Sequence, residues 1–266
     1  MRGPRLSCLE FASDMMVQRG QTHLQDLPDR VVQITQDEPN FWFGNRVIFR
    51  DPPKDAAALI AQFHHDVPDA RHICLGWDIP QLSLAEVQAV CAGTGLIVQE
   101  GDTLTLPGTL TRAHMPEGVA FRPFTSDQDW SQSEAIAAVD LRLDGAPEAG
   151  MDAFLQSKTQ ARKAQIARGY GQWFGAFEGD QLLGDMGIFF DESLIRYQSV
   201  QTHTAHRRRG ICSALLCHAL DWARPRAPEA LPMIVADAGS EAGRLYRRCG
   251  FVPTETTISA YRPPPD

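Results

Sequence analysis

The chain has 266 residues, 43% of them hydrophobic and 22% charged, enough for two domains that each bury a core. Its formal net charge of −8 argues against general affinity for nucleic acid, and no apolar run is long enough to cross a bilayer. Six scattered cysteines (Cys8, Cys74, Cys91, Cys212, Cys217, Cys249) form no CxxC pair and no zinc spacing, so reduced thiols, no metal and a cytoplasmic setting are expected.

Met1 to Glu10 carries two arginines with no apolar stretch behind them, so a secretory leader is not expected. Strands are predicted at Val31–Thr35 and Arg46–Phe49. Lys54–His65 is predicted helical, with Ala57, Leu59, Ile60 and Phe63 on one face and His64-His65 at its exposed end. His72–Trp77 follows as a strand. Ser83–Ala92 follows as a helix opened by a Ser83/Glu86 capping box. Ile97–Glu100 and Thr103–Leu106 flank Gly101-Asp102, which predicts a hairpin-like turn. Pro107 to Gly118, with two Pro and two Gly at its ends, predicts a linker. The expected domains are therefore residues 1–117 and 118–266.

The second half opens with a strand at Val119–Pro123, then helices at Asp127–Leu141 and Met151–Arg168 separated by Gly145-Ala146-Pro147. Trp173–Phe177, Gln181–Phe190 and Leu194–Thr202 are strands joined by tight turns at Glu178-Gly179-Asp180 and Asp191-Glu192-Ser193, so they should pair antiparallel. A helix at Gly210–Ala223, a strand at Pro232–Ala236, a helix at Gly239–Cys249 and a strand at Thr256–Tyr261 complete the chain. Strands and helices mixed in this order predict a mixed α/β (α+β) sheet flanked by helices.

Arg196 to Asp266 carries a net positive charge inside an acidic protein, which points to a local anionic ligand. The focus is Val200 to Leu216. A strand ends, a basic loop Arg207-Arg208-Arg209 follows, and Gly210 opens an amphipathic helix whose buried face is Ile211, Ala214, Leu215, Ala219 and Trp222. The first turn of a helix has unpaired N–H groups and the positive end of the dipole, so it binds anions. A glycine lets a phosphate approach the backbone. The same letters also suit a basic surface turn.

Arg207-Arg208-Arg209-Gly210-Ile211-Cys212 resembles the acyl-CoA loop Arg/Gln-x-x-Gly-x-Gly/Ala of the GNAT superfamily of N-acyltransferases, with Cys212 departing at the sixth position. Ala242-Gly243-Arg244-Leu245-Tyr246-Arg247-Arg248-Cys249-Gly250-Phe251 is similar to that family's Ala-x-x-Leu-Tyr-x-x-x-Gly-Phe signature, with Gly239 where the family often has Asn. The resemblance covers about residues 118–264 and implies a GNAT-like twisted mixed sheet flanked by helices. It implies acetyl-CoA as cosubstrate and direct attack by a primary amine of a small molecule or protein in a ternary complex. By the same resemblance Val200 and Thr202 would offer backbone groups to the pantetheine and thioester. The amides of Arg208, Arg209, Gly210, Cys212 and Ser213 would hold the diphosphate beside Arg207. Tyr246 would protonate the leaving thiolate. Asp185, Asp191, Glu192, His203 and Asp237 are candidates for the base, and none is singled out.

The first half repeats the strand–helix rhythm without either motif and looks like a smaller, degenerate GNAT-like domain, as in tandem-GNAT proteins. Pro39-Asn40-Phe41-Trp42-Phe43-Gly44-Asn45 would line an acceptor pocket or pack in a core. No nucleic acid or membrane partner is expected, and a homodimer is compatible with these features. The competing reading is a non-catalytic acyl-CoA sensor or interaction module.

Overall fold

The computed structural model describes residues 4–111, 114–143, 145–146 and 148–265. In chain order its elements are α1 (Leu9–Val17), β1 (His23–Asp26), β2 (Arg30–Ile34), β3 (Arg46–Phe49), α2 (Ala56–Asp66), β4 (Ile73–Trp77), α3 (Leu84–Cys91) and β5 (Ile97–Thr105). There follow β6 (Ala120–Pro123), α4 (Asp127–Leu143), α5 (Met151–Ala167), β7 (Gly171–Glu178), β8 (Gln181–Phe190), β9 (Leu194–Thr202), α6 (Ile211–Ala223), β10 (Leu231–Asp237), α7 (Glu241–Arg248) and β11 (Val252–Arg262). The fold is a mixed α/β one. Arg112 and Ala113 of the expected linker and Pro147 of the expected helix break lie outside the described residues, as do residues 1–3 of the segment read for a leader.

Two compact units divide the chain, and they are not a single cut of it. One is Met1–Leu104 with Val235–Gly243 and Pro253–Asp266; the other is Thr105–Ile234 with Arg244–Val252.

In the first unit the strand order is β1-β2-β3-β4-β11-β5. β1, β2 and β3 pair antiparallel, β3 and β4 parallel, β4 and β11 antiparallel. The last strand of the sequence is thus seated against β4. Ile258 and Ala260 supply the reason: both join the apolar cluster of Phe63, Ile73, Leu75, Trp77 and Val87. Two local expectations fail here. Ser83 precedes α3 without any side-chain cap bond, so the capping box is not formed. Ile97 to Thr105 is one unbroken strand rather than a hairpin. Gly101 lies inside it without a left-handed φ, so it makes no turn, and a Cβ there would come within 2.9 Å of the Glu10 carboxylate.

In the second unit β6, β7, β8 and β9 pair antiparallel, and β9 pairs parallel with the start of β10. α4 and α5 pack on one another through Ala138, Met151 and Leu155, and Trp130 of α4 lies against Trp173 of β7. α6 buries Ile211, Ala214, Leu215 and Ala219 as predicted, and Leu216, Leu220 and Ala223 besides; Trp222, expected on that face, is half-buried and packs on Phe174 and Phe190. Burying each large aliphatic side chain contributes roughly 1.5–3 kcal/mol, which holds the start of α6 firmly against the sheet.

Candidate functional site

The site is built where β9 leaves its neighbours. Opposite β8 the pairs Asp185↔Gln201 and Gly187↔Gln198 enclose one extra residue on β9, a β-bulge. Ser199 within it has φ +48°, left-handed for a non-glycine residue. His203 N donates to Leu183 O at 2.9 Å. By the alternation of an antiparallel ladder, the backbone groups of Thr202 therefore face the other edge. On that edge the pairing with β10 covers only Leu194–Arg196. From Tyr197 to Thr202 the edge has no strand partner in that register.

A short 3-10 turn, Thr204–His206, carries the chain from β9 to the basic loop. Arg208 takes φ +69° and Gly210 φ +77°, two left-handed residues flanking Arg209. Turns of this kind point successive N–H groups into one concavity. Among the described residues, no backbone N–H from Arg208 to Ser213 donates to a protein acceptor. The first that does is Ala214 N, to Gly210 O at 3.1 Å. Arg208, Arg209 and Gly210 are exposed, while Ile211 is buried with Ala176 and Leu183. Six consecutive free amides thus sit on a fixed helix start.

The arginines behave differently from a simple basic patch. Arg207 donates through Nε to Thr202 O at 3.1 Å and through Nη2 to Asp140 at 2.9 Å. Arg209 reaches His206 Nδ1 at 2.9 Å and Glu178 at 2.8 Å. These two brace the loop, and the hydrogen bond from Arg209 draws the exposed Glu178 carboxyl below its ordinary pKa. Arg208 is the one whose guanidinium has no partner among the described residues.

The remaining expected residues gather around the same corner. Cys212 is pushed up to about 12 by burial, so it stands as a neutral thiol and presents no charge to an anion. Ser213 Oγ receives a hydrogen bond from Cys249 Sγ at 3.5 Å. Tyr246 is 5% exposed; its ring lies 6.3 Å from that of Phe251. Burial, then the neighbouring Cys212 and Cys249, push its phenol well above the usual range. Tyr197 is a contributor that sequence reading passed over. Its hydroxyl donates to Leu216 O at 3.1 Å and ties β9 to α6; a tyrosine inside an apolar strand gives no local sign of that bond.

The base candidates do not converge. Asp185 is fully buried and accepts from Ser133 Oγ, Trp173 Nε1 and Gln201 Nε2 at 2.8–3.0 Å. Asp191 accepts from Ser193 N and Leu194 N, a turn former. Glu192 is exposed in that same turn. His203 Nδ1 accepts from Ala205 N at 3.2 Å. Asp237, in the other unit, accepts from Gln99.

The first unit offers a contrast at the related position. β3 and β4 stay paired to their ends, Phe49↔Trp77 included. Pro52 and Pro53 precede α2, whose Ala57 and Ala58 N–H groups are taken by Asp55 at 2.9 and 3.3 Å. An open groove of about 690 Å³ at this helix start, lined by Lys54–Ala57, Ala89, Val90 and Thr94, therefore meets a carboxylate rather than free amides. The aromatic stretch near Gly44 packs within this unit: Trp42 stacks on His72 at 6.2 Å and Phe43 lies 5.9 Å from Tyr261. Among the described residues no group of three or more His, Cys, Asp or Glu could hold a metal ion, and no helix is long and apolar enough to cross a membrane.

Residues 169–253 match the family model of the acetyltransferase (GNAT) domain. No curated protein matches the chain. Solved structures are similar in fold. A GCN5-related N-acetyltransferase from Kribbella flavida is 17% identical with a TM-score of 0.61, covering 96% of this chain and 95% of that one. A tandem GNAT protein from the clavulanic acid biosynthesis pathway, solved without AcCoA, is 14% identical with a TM-score of 0.57, covering 99% and 91%. A functionally unknown conserved protein from Staphylococcus epidermidis is 13% identical with a TM-score of 0.67, covering 91% and 93%.

Proposed function

We propose that this chain, which carries an acetyltransferase (GNAT) domain over residues 169–253 and shares the fold of a tandem GNAT protein, is an N-acetyltransferase. It uses acetyl-CoA and a primary amine of a small molecule or protein. The reading rests on one observation: the run of unpartnered amides from Arg208 to Ser213 beside the unpaired edge of β9. Such a concavity suits a diphosphate, since its donors are aligned before any ligand arrives. Arg208 adds a mobile positive charge, and the neutral Cys212 adds none of the opposite sign. Residues 118–266 would hold this activity, with residues 1–117 a degenerate GNAT-like partner whose helix start is closed by Asp55.

Acetyl-CoA supplies an activated acyl thioester. The backbone of Val200 and Thr202, on the open edge, would orient that group and stabilise negative charge on its oxygen. Tyr246 stays protonated at neutral pH. Its hydroxyl would donate to the departing sulfur and supply the proton that the leaving thiolate takes up. Of the four carboxylates and one imidazole considered, Asp185, Asp191, His203 and Asp237 already accept hydrogen bonds from the protein, and Glu192 is exposed in a turn. The engagement of those four favours a second reading, an acyl-CoA sensor that binds without transfer.

Calorimetry with acetyl-CoA, followed by a panel of amines scored for released CoA, separates these outcomes. Binding with turnover supports the enzyme, binding without turnover across the panel supports the sensor, and no binding removes both.

A further inference from the structure

We propose that Asp185 is a positioning residue that holds the bulge of β9 in the shape the thioester requires, an inference that rests on the acyl-transfer reading above. The contacts form a closed ring. Trp173 Nε1 donates to Asp185 Oδ1 at 2.8 Å. The Arg162 guanidinium lies 4.3 Å over the Trp173 ring, and its Nη2 donates to Ser199 Oγ at 3.1 Å. Two residues beyond Ser199, Gln201 Nε2 returns to Asp185 Oδ2 at 2.8 Å. Ser133 of α4 closes the ring from above: its Oγ donates to Asp185 Oδ1 at 3.0 Å, and its carbonyl accepts from Gln201 at 3.1 Å.

Each part of the ring has a physical reason. A left-handed serine is strained and persists only where its surroundings hold it; Ser199 is held by Arg162 on its side chain and by the Asp185↔Gln201 and Gly187↔Gln198 pairs on either side. Gly187 makes the arrangement possible, because a Cβ there would meet Trp173 Cζ3 at 2.4 Å. The missing side chain lets the indole lie close on β8 and aim its N–H at Asp185. An ionised carboxylate accepts from every side and donates to none, which suits three donors converging from α4, β7 and β9. Sealed at 0% exposure, Asp185 touches no amine, so its effect on the reaction passes through Gln201 and the bulge to the edge at Val200 and Thr202. The free amides of Arg208 to Ser213 lie outside the ring. Loosening it should therefore spoil the thioester end of the site and spare the diphosphate end.

The test uses the full chain and two probes: acetyl-CoA, and ADP, which has the diphosphate but no thioester. Affinities come from calorimetry and kcat from released CoA. Asp185→Leu should lower kcat, and the preference for acetyl-CoA over ADP, about tenfold or more while ADP affinity stays within about twofold. Asp185→Asn, which keeps the shape and lets the Gln201 amide turn its oxygen inward, should recover most of that loss. Arg162→Met, at a half-exposed helix position, should move both readouts the same way and decides the matter if Asp185→Leu does not fold. Wild-type kcat and preference in a folded Asp185→Leu, or in Arg162→Met where Asp185→Leu does not fold, overturn the proposal alone, as does a matching loss of ADP affinity. A wild-type chain that binds neither probe overturns the acyl-transfer reading beneath it.

Discussion

Cys249 Sγ donates to Ser213 Oγ at 3.5 Å, joining the end of α7 to the first turn of α6. The contact ties the helix that carries Tyr246 to the helix start that carries the free amides, so the two proposed halves of the site move as one. Tyr246→Phe keeps the packing on Phe251 and deletes only the hydroxyl. It is expected to lower kcat about tenfold and leave the acetyl-CoA Kd within about twofold. Steady-state kinetics beside calorimetry measures both. Weaker binding at unchanged kcat would assign the hydroxyl to binding.

Gly210→Glu addresses the cradle directly. The φ of +77° already strains any side chain at this position, by roughly 1–2 kcal/mol. Among the described residues the space is open, with only His114 O, at 3.8 Å, near a Cβ. Gly210→Ala therefore reports the backbone cost alone, and glutamate adds a negative charge where the diphosphate is proposed. Acetyl-CoA Kd should weaken at least about 100-fold for Glu and no more than about tenfold for Ala. Equal affinities in Glu and wild type would move the ligand away from this corner.

Asp55→Ala tests whether the first unit is closed by its own cap. Removing a carboxylate that accepts from Ala57 and Ala58 N–H should cost about 1 kcal/mol of stability in urea unfolding. Acetyl-CoA stoichiometry should stay at a single molecule per chain, because β3 and β4 remain paired to their ends. A second bound molecule in the variant would show a latent site that Asp55 merely blocks.

What could be read from sequence follows from which forces are local. Gln181–Phe190 and Leu194–Thr202 were legible to the residue because turn formers bracket apolar runs. The start of α6 was legible because Gly210 and an apolar stripe sit together. α1 was missed: Cys8 supplies no cap, and its amide and that of Ser7 are met by Asp78, about seventy residues away. β1 was missed because His23, Gln25 and Asp26 are polar and exposed, leaving Leu24 alone to mark its buried face. Gly101-Asp102 was misread as a turn because nothing local marks a strand that runs straight through a turn-forming pair. In the candidate site, the motif residues were proposed from pattern. The ring through Ser133, Arg162, Trp173, Asp185, Ser199 and Gln201 was not, since it joins six positions with no shared period.

Asp185 should also leave a signature in stability against pH. Burial raises its pKa from 3.8 to about 6, against three hydrogen bonds that pull the other way. The native state therefore holds this proton where the unfolded chain has released it. Between about pH 4 and 6 the native state binds more protons, so this group's contribution is fully present below pH 4 and lost as pH rises through 6. The difference of roughly two pKa units corresponds to about 3 kcal/mol as an order of magnitude. Asp185→Asn cannot ionise and should lack this slope. Urea unfolding of both proteins from pH 4 to 7.5 should show the variant gaining on wild type with rising pH and the gap levelling above about pH 7. Parallel curves would mean that the carboxylate is as well solvated by its three donors as by water, and that its burial carries no ionisation cost.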